Sequence, residues 1–187
     1  LNKSYIMKNI KLFSVLAILG LLVSTNVSAQ EQETVTVSAE VVTALTLANV
    51  SNISLGTIQA DAASTLKAGD SDGVTSNSNV GVTTTYGQVT ISGAASAGVQ
   101  VDFTDAVLTE DGTPANEAAF TTLAYSAEKN GGAGLFASGA TIDLDGSGNA
   151  TIDFGGTLAS ISAANAGSYA TDHGGNGSPI TVTVTYN

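Results

Sequence analysis

Beyond residue 30 the chain is built from short runs in which apolar and small polar residues alternate, separated by clusters of Gly, Asn, Asp and Ser. In "ETVTVSAEVVTALTLANV", residues 33–50, the side chains of Val35, Val37, Ala39, Val41, Leu45 and Leu47 fall on one parity. Similar runs follow: "NISLGTI", "VGVTTTYGQVTISG", "GVQVDFTDAVL", "AFTTLAYSA", "SGATIDL", "NATIDF", "GTLASIS" and the closing "SPITVTVTYN". A period of two puts alternate side chains on opposite faces of a strand, whereas a buried helix face needs a period near 3.6. Turn clusters such as "KNGGAG", "DGSGN" and "HGGNG" supply the residues that tolerate positive φ or bond their own backbone. This pattern predicts an all-β, antiparallel sandwich. One helical turn fits within "LASISAANAGSYA", where Gly167 and the serines oppose anything longer. "ATID" occurs at 140–143 and again at 150–153, which predicts a hairpin closed by "DLDGSGN".

The beginning of the chain reads differently. Residues 7–29, "MKNIKLFSVLAILGLLVSTNVSA", carry Lys8 and Lys11, an apolar run from Leu12 to Val23, and small residues Val27 and Ala29 before a cleavage point. That is the pattern of a cleaved signal peptide, and the run is about half the roughly 20 residues needed to span a bilayer. Residues 1–6 read as upstream translation before Met7. The expected organisation is a leader over 1–29 and one domain over 30–187, exported to the periplasm, the cell surface or the medium.

Charge narrows the partners. Lys3, Lys8 and Lys11 belong to the leader, which leaves Lys67 and Lys129 against 16 acidic residues and no arginine. Binding to nucleic acid or anionic lipid relies on Lys and Arg neutralising phosphates, so neither is expected, and nor is membrane insertion. There is no cysteine. Zinc–thiolate sites, a cysteine nucleophile and disulfides are thereby excluded, and the domain depends on its core.

Little in the sequence suggests catalysis. His173 is the only histidine, it lies in "TDHGGNG", and no Gly-x-Ser-x-Gly elbow accompanies it. Tryptophan is absent and aromatics are few, which leaves little to line a sugar cleft. The chain is expected not to be an enzyme. One local motif suggests a metal: Asp143, Asp145, Ser147 and Asn149 place oxygen ligands at every second position, as calcium loops do. Phe154 stands where a helix-flanked calcium loop has its closing Glu, so a polar strand connection is the preferred reading and weak calcium binding the alternative.

The two ends carry a resemblance. Gly174 is fourteenth from the end and Tyr186 penultimate, with Ile180, Val182 and Val184 alternating between them. This is similar to the C-terminal signature of chaperone–usher pilins, in which the last strand borders the open groove of an incomplete immunoglobulin-like sandwich, first covered by a periplasmic chaperone. "QEQETVTVSAEVV", residues 30–42, resembles the N-terminal donor segments of cysteine-free fimbrial subunits, with Val35, Val37, Ala39 and Val41 as the inserted side chains. Donated strands pair their main chain along an exposed edge while alternate side chains fill pockets. The alternative is that this strand stays in its own domain and covers an edge there.

The whole pattern is similar to a family of exported bacterial proteins known only as a domain of unknown function. Its motifs are present as Leu45-Thr46-Leu47, "ISLGTI" at 53–58, "GGTL" at 155–158, "GSY" at 167–169 and "VTVTYN" at 182–187. Leu55 replaces the usual aromatic before Gly56, Ala44 stands where a proline often precedes the Leu, and "ATDHGGNGS" lengthens the last connection. The resemblance implies a pilin-like sandwich and no catalytic residue. The expected function is a non-enzymatic subunit that assembles with itself or with related subunits into fimbria-like filaments. A monomeric module binding calcium or a surface glycan is the competing expectation.

Overall fold

Alternation decides which residues become strands, and burial decides how those strands are layered. The structure, a computed structural model, describes residues 38, 39, 41–69 and 76–187. In chain order the strands are β1 Thr46–Ser51, β2 Ser64–Leu66, β3 Gly87–Ser92, β4 Gly98–Phe103, β5 Ala106–Glu110 and β6 Thr113–Ser126. They continue as β7 Gly134–Phe136, β8 Ala140–Asp143, β9 Asn149–Leu158, β10 Tyr169–Ala170 and β11 Val182–Tyr186. The one helical turn expected after residue 157 is a 3-10 turn at Ala163–Asn165, where the Ser162 hydroxyl accepts from the Ala164 amide.

Every pairing between these strands is antiparallel. The larger sheet runs β1-β3-β9-β6-β5-β10, with β2 also on β9 and β7 also on β6; the smaller runs β11-β4-β8. β9 is the spine of the larger sheet. Along one edge β3 pairs with residues 149–154 and β2 with 156–158, while β6 takes the other edge from 153 to 158. The "GGTL" glycines make this crowding possible. A Cβ on Gly155 would meet the Lys67 carbonyl oxygen at 2.5 Å, and one on Gly156 would collide with the Thr121 carbonyl and the Phe120 ring.

The two sheets pack face to face as a β-sandwich. Ile91, Ala150, Ile152 and Phe154 of the larger sheet are buried against Val99, Val101 and Ile142 of the smaller, with Leu144 beside them. Phe103 packs edge-on against Phe136 and Phe154, with ring centroids 6.0 and 5.5 Å away. A second, smaller cluster of Ala106, Ala118, Phe120 and Leu158 lies further along the sandwich. Among the described residues no helix is long and apolar enough to cross a membrane.

Two expectations are corrected. The repeated "ATID" segments do not form a hairpin: β8 pairs with β4 in the smaller sheet, and β9 pairs with β2, β3 and β6 in the larger. Leu144, only 2% exposed, explains the difference. The connection turns through the core and carries the chain between sheets, so that Ile142 and Ile152 face each other across the sandwich. Among the described residues, the alternation read from Val35 is in a strand only from Thr46, with residues 41–45 outside both sheets.

Residues 41–187 form one compact unit. Of the other unit, residues 1–40, only Ser38 and Ala39 are described, and both are exposed and outside any strand. The expected leader and the donor positions Val35 and Val37 lie outside the described residues.

Candidate functional site

β1 and β11 are the edges of their respective sheets: among the described residues β1 pairs only with β3, and β11 only with β4. An edge strand presents a row of main-chain N–H and C=O groups to whatever lies beside it. Here the edge strands β1 and β10 of the larger sheet, with Val182 at the start of β11, line one groove of about 1100 Å³.

One wall comes from β1, where Leu47, Asn49 and Ser51 share the parity that faces inward, and from Ile53, Leu55 and Ile58 beyond it. Gly56, within "ISLGTI", has φ +64°, a left-handed turn that lets this segment curl along the groove after β1 ends. The opposite wall comes from Tyr169, Ile180 and Val182. The floor is Ala106, Leu108, Phe120 and Leu158, the smaller core cluster. That cluster buries four residues where the main one buries ten, and its surroundings, including Leu108, Tyr169 and Ile180, are only partly buried. The core is therefore open on this side.

The groove is mainly apolar in its lining. Asp172 is the only acidic or basic residue among those lining it. Tyr169 donates its hydroxyl to the Asn165 carbonyl at 2.9 Å, and burial, then the Glu110 carboxylate, push its phenol pKa up, so it stays neutral. Apolar side chains at alternate positions suit the floor, and main-chain groups suit the two edges.

The C-terminal residues singled out from sequence divide between strand and loop. Val182, Val184 and Tyr186 lie on β11 with their side chains half-buried; Ile180 precedes the strand and packs on the smaller cluster. Gly174 sits in the preceding turn with φ +92°, its carbonyl accepting from the Thr109 hydroxyl at 3.0 Å and the Gly177 amide at 3.1 Å. His173 Nδ1 lies 3.2 Å from the Thr109 carbonyl. At the end of β11 the Tyr186 hydroxyl donates to the Thr43 carbonyl at 2.5 Å and accepts from the Ala94 amide at 2.7 Å.

At the N-terminal side, Ala39 is exposed and Val41 is 95% exposed. The sequence drew attention to these residues, but not to the groove floor, whose members come from β5, β6 and β9 and share no local motif.

The residues suggested for calcium, Asp143, Asp145, Ser147 and Asn149, lie at the end of β8, in its connection to β9 and at the start of β9. Asp145 Oδ1 accepts from the amides of Ser147 and Asn149, both at 2.8 Å, and these bonds hold its carboxyl below the usual range. Asn149 Oδ1 accepts from the Ser92 hydroxyl at 2.8 Å, while Asp143 lies 3.5 Å from the Asn130 amide nitrogen. Ser147 is exposed. Among the described residues no three His, Cys, Asp or Glu side chains form a group that could hold a metal. Asp145 caps its own turn.

No protein-family model, curated protein or solved structure matches the chain.

Proposed function

We propose that this protein is a non-enzymatic, exported structural subunit that assembles by strand donation, residues 30–41 of one copy lying in the groove of the next. The observation that carries this reading is the groove itself, an apolar trough lined by the edge strands β1 and β10 and by Val182 at the start of β11. A strand laid along it pairs with β1 and turns alternate side chains onto Phe120 and Leu158. Val35, Val37, Ala39 and Val41 have the required alternation; Glu40 takes the other parity toward solvent, and Glu31 and Glu33 precede the alternating run. From Val35 to Val41 an extended chain spans about 20 Å at roughly 3.3 Å per residue. Each valine removed from water contributes about 1.5 kcal/mol or more. An unfilled groove of this kind exposes apolar surface, which is the reason to expect a periplasmic chaperone to cover it before assembly.

The test uses a labelled peptide, "QEQETVTVSAEV", and the protein lacking residues 30–41. Saturable binding accompanied by a rise in melting temperature is expected, with both lost when the peptide carries Asp at the Val35 and Val37 positions. Equal binding of the two peptides, or no binding of either, contradicts the proposal.

A further inference from the structure

The turn clusters "KNGGAG" and "HGGNG" contain the two Asn-Gly pairs of the chain, Asn130-Gly131 and Asn176-Gly177. An asparagine before glycine has its side-chain amide open to attack by its own main chain, because glycine has no Cβ to keep its nitrogen away from the preceding Cγ. The fold treats the two pairs differently.

Asn176 is held at both reacting groups. Its Nδ2 donates to Glu117 Oε1 on β6 at 2.6 Å, and the Gly177 amide donates to the Gly174 carbonyl at 3.1 Å. Gly177 is also half-buried, and a Cβ there would sit 2.7 Å from the Thr171 carbonyl oxygen. Around Asn130 these restraints are missing. Residues 130–133 are exposed, Gly131 and Gly132 have φ +87° and +113°, and a Cβ on either would meet nothing within 4 Å. Among the described residues the Gly131 amide donates no hydrogen bond, and Asn130 Nδ2 has only the Asp143 carboxylate, at 3.5 Å. The root of the turn is fixed instead, with the Asn130 amide on the Thr141 carbonyl at 3.1 Å and the Gly132 amide on the Lys129 carbonyl at 3.0 Å.

We propose that Asn130 is a site of spontaneous deamidation, with the Gly131 nitrogen as nucleophile and water as co-reactant, and that the fold shields Asn176 from the same reaction. The Gly131 N–H loses its proton to hydroxide and its nitrogen bonds to Asn130 Cγ. The Cγ–Nδ2 bond breaks, and the amide takes up a proton and leaves as ammonia. Water then opens the cyclic imide. Attack at Cγ gives aspartate; attack at the main-chain carbonyl carbon of residue 130 gives isoaspartate, in which the chain continues through Cβ and Cγ. Nothing is oxidised or reduced. Either product adds a carboxylate to the turn that faces Asp143, where like charges repel. This turn ties the end of β6, in the larger sheet, to β8, in the smaller: besides the Asn130 bond, the Asp143 amide donates to the Glu128 carbonyl at 2.8 Å. The modification therefore loosens a joint between the sheets. It is independent of strand donation.

The purified protein is incubated in mildly alkaline buffer made with isotopically heavy-oxygen water, sampled over time, digested and mapped by mass spectrometry, with a second portion treated alike in urea. In the folded protein, acid products carrying the heavy oxygen are expected to accumulate at Asn130 roughly tenfold or more faster than at Asn176, the factor for releasing the Glu117 and Gly174 hydrogen bonds. In urea the two rates are expected to converge. The modified folded protein, separated by its extra negative charge, is expected to melt below the parent, and Asn130→Gln, whose amide lies one methylene further from the Gly131 nitrogen, to stay unmodified at that position. Equal rates at the two sites in the folded protein, faster conversion at Asn176, or conversion of Asn130 only in urea would overturn the proposal.

Discussion

Tyr186, the penultimate residue, donates its hydroxyl to the carbonyl of Thr43 at 2.5 Å, so the last strand holds the approach to the first. The same oxygen accepts from the Ala94 amide at 2.7 Å in the turn between β3 and β4. Removing it leaves a partly buried amide without its acceptor as well as breaking the bond to Thr43. Tyr186→Phe is expected to destabilise the domain by about 1–2 kcal/mol, since a net hydrogen bond contributes about 1 kcal/mol and an orphaned buried group costs somewhat more. For a domain of this size that is a fall of several degrees in melting temperature, measured by calorimetry.

Substitutions in the "GGTL" motif are expected to be more damaging. Gly155→Ala drives a methyl into the carbonyls of Leu66 and Lys67, and Gly156→Ala into that of Thr121. Backbone cannot yield as a flexible side chain does. Each substitution is expected to cost about 3 kcal/mol or more, the upper end for overpacking, and to give a largely insoluble protein. Soluble expression and melting temperature equal to the parent would contradict the β2-β9-β6 register.

Asp145 makes stability depend on acid. Its folded-state pKa lies below the usual value because two backbone amides donate to its carboxylate. A depressed carboxyl contributes stability above its unfolded value of about 3.9 and loses it as the pH falls through the folded value. The melting-temperature gap between the parent and Asp145→Ala is therefore expected to be full at pH 7 and to narrow below about pH 4. Because Asp145 is engaged with its own turn, millimolar calcium is expected to leave the parent's melting temperature unchanged in thermal scans.

Groove and core can be separated by mutation. Leu47 is 43% exposed on β1, lines the groove and lies outside both core clusters. Leu47→Lys is expected to change the melting temperature by no more than about 3 °C, the range for roughly 1 kcal/mol in a domain of this length. It is also expected to abolish binding of the 30–41 peptide, because a lysine at the wall meets apolar donor side chains. Retained binding would locate the peptide elsewhere.

Much of this architecture was legible from alternation and turn chemistry. The antiparallel sandwich, the closing strand and the single turn near Ala163 follow from residues whose periodicity is local. Periodicity reports which face a side chain takes and not which strand lies beside it, so the repeated "ATID" segments suggested one hairpin while Leu144 sends them into two sheets. It also overextends strands. The alternation read over residues 33–50 runs into β1, yet among the described residues the strand begins only at Thr46, where pairing with Ser92 starts. The groove was legible only through its borders. Val182 and Leu47 stand in quoted motifs, but Leu108, Phe120 and Leu158 meet through tertiary packing alone, and nothing local to Thr43 marks it as the partner of Tyr186.

The central claim is that subunits are joined by strand donation. The most direct measurement is a denaturing gel of the native cell-surface fraction, probed for this protein, with unheated and boiled samples side by side. A strand held along its length in the next subunit resists detergent until heated. The account predicts a ladder in the unheated lane that collapses to a single mature band on boiling, and no ladder from a strain expressing the protein without residues 30–41. A single monomer band in both lanes, or a ladder that persists in the deletion, would contradict it.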